Sequence, residues 1–136
     1  MQPVSVLRAA YSLWHRGPAA TLLPMLEELG IGLVASSPLG RGAVAGAATD
    51  DLLAPLAALA ARKHATLAQL ALAWLLAQQP WIVPVPGARG FGHADENIGG
   101  ADLRLTADDL RDIAAVLAAA PVPTPRGMAQ ALDFTH

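Results

Sequence analysis

The chain has 136 residues, a formal net charge of −2, 54% hydrophobic residues and 15% charged residues. A length of this order is most simply one domain, able to bury roughly two thirds of its unfolded surface. Nothing in the near-neutral balance suggests the basic face of a nucleic-acid binder, and no block of like charge reads as a tail, while the absence of cysteine excludes disulfides, thiol chemistry and Cys-based zinc sites.

The N-terminus, MQPVSVLRAAYSLWHRG, places an arginine inside its apolar run and lacks a signal-peptide layout. The longest helical apolar stretch, residues 67–77, falls short of the roughly 20 residues that span a bilayer. A soluble cytoplasmic protein with neither membrane nor nucleic-acid partners is the expectation.

A short apolar run predicts a first strand at about residues 4–8. Gly17-Pro18 breaks the chain and suits a helix start. In AATLLPMLEELG, Leu22, Leu23, Leu26 and Leu29 share a helical face, Pro24 is placed near the first turn, and Gly30 is the stop. Residues 31–35 read as a strand buried on both faces, followed by the small-residue turn SSPLGRG. GAVAGAATDD is a flexible link in which Thr49 or Asp50 caps the next helix, which runs to about Lys63 with Leu52, Leu53, Leu56 and Leu59 as its stripe.

Thr66 and Gln69 form a capping-box pattern ahead of LAQLALAWLLAQQ, a helix apolar nearly all round and hence wedged between neighbours. Pro80 ends it, and WIVPVPG is a third strand whose prolines restrict pairing. A brief helical turn is expected around residues 95–98, and Thr106 with Asp109 caps a last helix to about Ala119. From Pro121 onward, Pro, Gly and Thr predict a loosely ordered tail over residues 121–136. Three buried strands separated by helices imply parallel pairing through crossovers, with ligands at the carboxyl ends of the strands.

The segments YSLW, GIGLVASSPLGRG, TLAQLALAWLLAQQPWIVPVPGAR, ENIGG and LTADDL come in the order and spacing of the aldo-keto reductases, and the chain resembles the C-terminal part of that family. The resemblance implies an α/β fold, a partial (β/α)8 barrel holding its last three strand–helix units, over residues 1–120. It also implies NADP(H)-linked reduction of aldehydes or ketones. Carried over by position, Tyr11 corresponds to an aromatic stacking on the nicotinamide. Ser37, Pro38, Leu39, Gly40 and Arg41 correspond to the loop around the pyrophosphate. Gly87, Ala88 and Arg89 lie near the adenosine ribose and its phosphate, and Glu96 and Asn97 read the adenine. The residue types suit these tasks: an exposed aromatic face stacks on a planar ring, a Gly-containing turn brings N–H groups to phosphate, and arginine forks a phosphomonoester.

Departures are as informative. Arg8 stands where the family has a glutamine for the carboxamide, Ala10 where it has a glutamate, Gly90 where a second arginine often follows, and His93 where an arginine precedes the Glu-Asn pair. The phosphate clamp for NADPH is therefore thinned. The family's catalytic Asp, Tyr, Lys and His belong to the first half of the barrel, and none has a counterpart here. The single tyrosine is Tyr11, and the single lysine, Lys63, matches no catalytic position.

His15, His64, His93 and His136 lack metal-ligand spacing, Trp74 and Trp81 read as packing residues, and Arg16 as an ordinary surface arginine. No catalytic or metal-binding residue is assigned. Whether the chain is an enzyme by itself stays open, with inactivity alone as the expectation. Beside a truncated reductase stand two other readings: a half-barrel completed by a separate N-terminal chain, and a non-enzymatic nucleotide-binding or assembly module. Exposed strand edges would serve self-association or pairing with such a half.

Overall fold

The computed structural model describes residues 3–40, 50–88 and 90–119. The expected link with its Thr49 cap and the tail over residues 121–136 lie outside the described residues, as does the side chain of Leu52. The element order is β1 (Val6–Ala10), α1 (Pro18–Leu29), β2 (Gly32–Ser36), α2 (Asp50–Arg62), α3 (Leu67–Gln78), β3 (Ile82–Val85), α4 (Phe91–Asp102) and α5 (Ala107–Ala119).

The three strands form one parallel sheet in the order β1-β2-β3. Its register aligns Leu7 with Leu33 and Ile82, and Ala9 with Ala35 and Pro84. Because side chains alternate along a strand, these residues share one face, where Leu33, Ala35 and Ile82 are buried in the core with Leu26 of α1 and Leu70, Trp74 and Leu75 of α3. The other face carries Val6, Arg8 and Ala10, Val34, and Val83 and Val85; Val6 and Val83 are each 56% exposed. The expectation that residues 31–35 are buried on both faces is thus corrected. Helices cover one side only, so Val34 stays half-buried.

The first strand begins two residues later than the apolar run suggests. Its ladder is fixed by β2, with Val6 opposite Gly32, while Val4 is 61% exposed. Pro84 sits in an edge strand, the place in a sheet that tolerates a missing N–H.

α1 starts at Pro18 and closes at Gly30, which adopts a left-handed φ of 66° and donates its N–H to Glu27 O, while Ile31 donates to Leu26 O. Pro24 lies inside this helix rather than in its first turn. It removes the donor to the carbonyl of Ala20, and Ala20 is exposed, so that carbonyl is open to solvent. Leu26 is buried but Leu29 is 62% exposed.

α3 behaves as its sequence demands. Thr66 and Gln69 make the reciprocal capping box, and Ala68 and residues 70–75 are all buried. Each fully buried leucine here contributes roughly 1.5–3 kcal/mol relative to exposure. On α2, Leu56, Leu59 and Ala60 are buried against this core.

The brief turn expected at residues 95–98 is instead a twelve-residue helix, α4. Its sequence hides the helix because Gly100 is its only buried residue and no apolar stripe runs along it. What holds it is close approach. A Cβ on Gly100 would sit 3.0 Å from Leu72 Cβ and 3.3 Å from both Cα and O of Gln69.

α5 is capped reciprocally: Thr106 N donates to Asp109 Oδ2 at 2.7 Å and Asp109 N donates to Thr106 Oγ1 at 3.2 Å. Lys63 Nζ lies 2.5 Å from the Asp109 carboxylate and donates to Arg104 O, tying the end of α2 to the start of α5. Arg16 donates to Leu117 O at 3.1 Å and so staples the loop after β1 to α5.

Two tests follow from this packing. Gly92, with open space around its Cβ position, and Gly100 lie on the same helix. Gly92→Ala is expected to stabilise by about 0.5–1 kcal/mol from propensity. In Gly100→Ala that gain is outweighed by overpacking of about 1–3 kcal/mol. Thermal melts should therefore move in opposite directions; equal rises would show that α4 does not approach α3 this closely. Partial burial raises the pKa of Asp109, but hydrogen bonds from Lys63 and Thr106 and the Lys63 charge outweigh it and hold the carboxyl below its ordinary value. Its stabilisation is present above the unfolded pKa and lost as pH falls through the depressed folded one. Asp109→Ala should cost about 1 kcal/mol at neutral pH, with the gap to the parent closing only below the aspartate reference of about 3.9. A gap independent of pH in denaturant melts would contradict the ion pair.

Candidate functional site

At the carboxyl ends of the strands three segments leave the sheet in a row. Ser36 pairs with Ala10 on one side and Val85 on the other, so the segments beginning at Tyr11, Ser37 and Pro86 start as neighbours.

The middle segment is a tight turn. Gly40 N donates to Ser37 O at 2.9 Å, Gly40 has φ of 68°, and Ser37 has φ of 51°. A left-handed conformation costs a non-glycine residue about 1–2 kcal/mol, and such strain gathers at functional loops. Pro38 is fully buried beneath the turn and anchors it, leaving Ser37, Leu39 and Gly40 partly exposed. Arg41, expected on the same loop, lies outside the described residues.

The third segment brings Gly87 and Ala88 to the surface. Asn97 on α4 reaches back to it, Nδ2 donating to Gly87 O over a long 3.5 Å. Glu96 and Asn97 are both half-buried, and Glu96 O accepts from Gln69 Nε2 at 3.1 Å. The structure thus links Asn97 to Gly87, and the Ser37 and Pro86 segments leave the sheet from the paired residues Ser36 and Val85. Arg89 lies outside the described residues, Gly90 is extended ahead of α4, and His93 is exposed.

Tyr11 differs from expectation. An exposed ring face was anticipated, but the residue is only 2% exposed and packs on Trp74 with ring centroids 5.7 Å apart and a 49° tilt. The reason is local. Tyr11 N donates to Ser36 O, holding the residue on the end of the sheet, and Ser12 Oγ accepts from both Trp14 N and His15 N, which curls the chain over the ring. Burial raises the tyrosine pKa, and the charge of Arg16 opposes this only in part. In this arrangement Tyr11 is a core residue with no face open to a cofactor ring.

Sequence reasoning also missed Gln69 as a support of α4. Its capping role was legible, but its second contact was not. The signal was the Gly99-Gly100 pair, since adjacent glycines in a helix mark a close neighbour.

Among the described residues no group of three or more His, Asp or Glu is placed to hold a metal ion, and no helix is long and apolar enough to cross a membrane. A cleft of about 440 Å³ lies elsewhere, lined by Leu59, Arg62, Lys63, Leu103, Arg104 and Asp109. None of these residues lies in the loops that follow the strands.

Parallel strands in chain order, crossover helices on one face and a strained turn at the carboxyl rim define a segment of a (β/α)8-barrel protein. The profile of the aldo/keto reductase family matches residues 2–118, and the chain belongs to that family. It is 33% identical to a probable aldo-keto reductase 1 of Glycine max, over 83% of this chain and 40% of that protein. It is 28% identical to an aldo-keto reductase of Strobilurus tenacellus, over 93% and 46% respectively. Among solved structures, an aldo-keto reductase from Klebsiella pneumoniae crystallised with NADPH superposes with a TM-score of 0.73 at 27% identity, covering 83% of this chain and 39% of that one. A thermostable aldo-keto reductase bound to the inhibitor epalrestat gives 0.73 at 28% identity, over 82% and 39%. The chain thus spans less than half the length of these relatives, and its three strands are a partial barrel.

The sequence holds one tyrosine, so an ultraviolet absorbance titration follows Tyr11 alone. Its midpoint is expected above the ordinary value of about 10. Because the folded pKa is raised, its contribution to stability is intact below the unfolded pKa and is lost as pH rises towards the folded one. A midpoint at the ordinary value would mean that the ring is open to solvent.

Proposed function

We propose that the chain carries the adenosine-phosphate part of the cofactor site of an NADP(H)-linked carbonyl oxidoreductase. The observation that carries this reading is that the strained Ser37–Gly40 turn and the Gly87-Ala88 segment leave neighbouring strands at the carboxyl rim, with Asn97 of α4 hydrogen-bonded to Gly87. Relatives of the same fold crystallised with NADPH, or with NADP and acetate, support it. In this reading Ser37, Leu39 and Gly40 offer backbone N–H groups to the pyrophosphate. Arg41 is a further proposed contact of the pyrophosphate, and Gly87 and Ala88, with Arg89 as a further proposed contact, flank the ribose phosphate. Glu96 accepts from the exocyclic amine of adenine and Asn97 bonds a ring nitrogen. Tyr11, being buried, is left out of the set.

Reduction of a carbonyl needs a proton donor within hydrogen-bond reach of its oxygen. Tyr11 is buried, and Lys63 is engaged by Asp109 and Arg104 O. The donor therefore comes from further β/α units, of the same polypeptide or another, that pair with the outer edges of β1 and β3 and cover the open face. The apolar character of that face favours such a complement. By itself the chain binds cofactor without turning it over.

Titration of the chain with NADPH, followed by tryptophan fluorescence or calorimetry, should give saturable binding below about 1 mM. 2′,5′-ADP should compete, and an added aldehyde should consume no NADPH. Absence of saturable binding up to millimolar concentrations would sink the cofactor reading. Consumption of NADPH by the lone chain would overturn the assignment of the donor to other units.

A further inference from the structure

We infer that Gln69 is a positioning residue for the adenosine end of the site, through the end of its side-chain amide that the capping box leaves free. This rests on the cofactor reading above.

The Gln69 amide does two jobs. Oε1 accepts from Thr66 N at 3.0 Å, which caps α3. Nε2 donates to Glu96 O at 3.1 Å, 27 residues further along the chain. The orientation of the amide is fixed by its partners: reversed, it would set a donor against the Thr66 N–H and an acceptor against the Glu96 carbonyl.

α4 needs this contact. It buries no large side chain; Phe91 is 94% exposed and Ile98 66% exposed. An apolar stripe therefore does not orient the helix. Among the described residues, what orients it is glycines that let it lie on α3, the hydrogen bond from Gln69 and the longer one from Asn97 to Gly87. A Cβ on Gly99 would fall 2.5 Å from Gln69 Nε2, so this glycine gives the amide its room. Glu96 and Asn97 lie three and two residues before that glycine, and Asn97 passes the constraint to Gly87. The hydrogen-bonded path from the capped end of α3 to the proposed adenosine wall thus runs through the Gln69 side chain. Holding binding groups in place beforehand raises affinity by lowering the ordering cost of association.

Gln69→Glu separates the two roles. A glutamate keeps the acceptor and is as good a capping-box partner as glutamine, but it has no donor for Glu96 O and sets a carboxylate oxygen against that carbonyl. The melting temperature should hold within a few degrees while 2′,5′-ADP and NADPH bind about fivefold more weakly, the scale of one lost hydrogen bond. Amide hydrogen exchange should quicken across residues 91–102 and stay slow in the first turn of α3. Gln69→Ala should lose thermal stability as well. Unchanged exchange in α4 with Gln69→Glu would overturn the positioning role, whatever the chain binds. Quickened exchange with unweakened 2′,5′-ADP binding would overturn its link to the site. Failure of the parent chain to bind 2′,5′-ADP would overturn the cofactor reading, and exchange would then judge the clamp by itself.

Discussion

The structure depends on burying α3. Its sequence offers water no polar face, so every neighbour is placed where it covers part of that helix. β3 and the covered side of the sheet take one flank, α2 another, and α4 closes over Gln69 and Leu72. The capping box sets where the helix starts and hence where each of these contacts falls. The same helix that completes the core therefore also fixes the wall carrying Glu96 and Asn97.

The opposite face of the sheet shows what the described residues leave unfinished. Val6, Val83 and Val85 are exposed on it with Arg8 among them. Register sets Arg8 beside Val34, with Val83 on the next strand in the same row, so a charge stands in an apolar surface. A closed barrel would bury such a face and pair both outer strands. An arginine enclosed there would need a carboxylate or another acceptor opposite it, because an unpaired buried charge is strongly unfavourable. On the proposed reading, the complementary units must supply that partner as well as the proton donor.

Much of this was legible in the sequence because it rests on local chemistry. The two capping boxes, the Pro18 start and Gly30 stop of α1, and the order of strands and helices depend on residues close together in the chain. The misses have non-local causes. α4 looked like a single turn because its stability lies in glycines meeting α3, which periodicity does not register. Pro24 was placed at a helix start, yet an exposed mid-helix proline is tolerated when water takes up the freed carbonyl. The ends of β1 were set by Gly32 across the sheet rather than by the apolar run beginning at Val4. Tyr11 sat in the right motif, but its burial depends on Trp74, 63 residues away.

That last correction alters the balance of the site. With Tyr11 turned into the core, the rim beyond β1 is filled by Tyr11, Ser12 and Leu13, all buried. The rim beyond β2 and β3 keeps its partly exposed turn and loop. On the proposed reading the described residues are therefore asymmetric towards a dinucleotide, the turn and loop beyond β2 and β3 serving phosphates and adenine and the buried rim beyond β1 offering no face to the reactive ring. Binding energy gained at a remote part of a ligand is what an enzyme uses to hold the reacting part in place. On the proposed reading the adenosine wall would bind cofactor, and the reacting ring would be oriented only once the remaining units close against the open face.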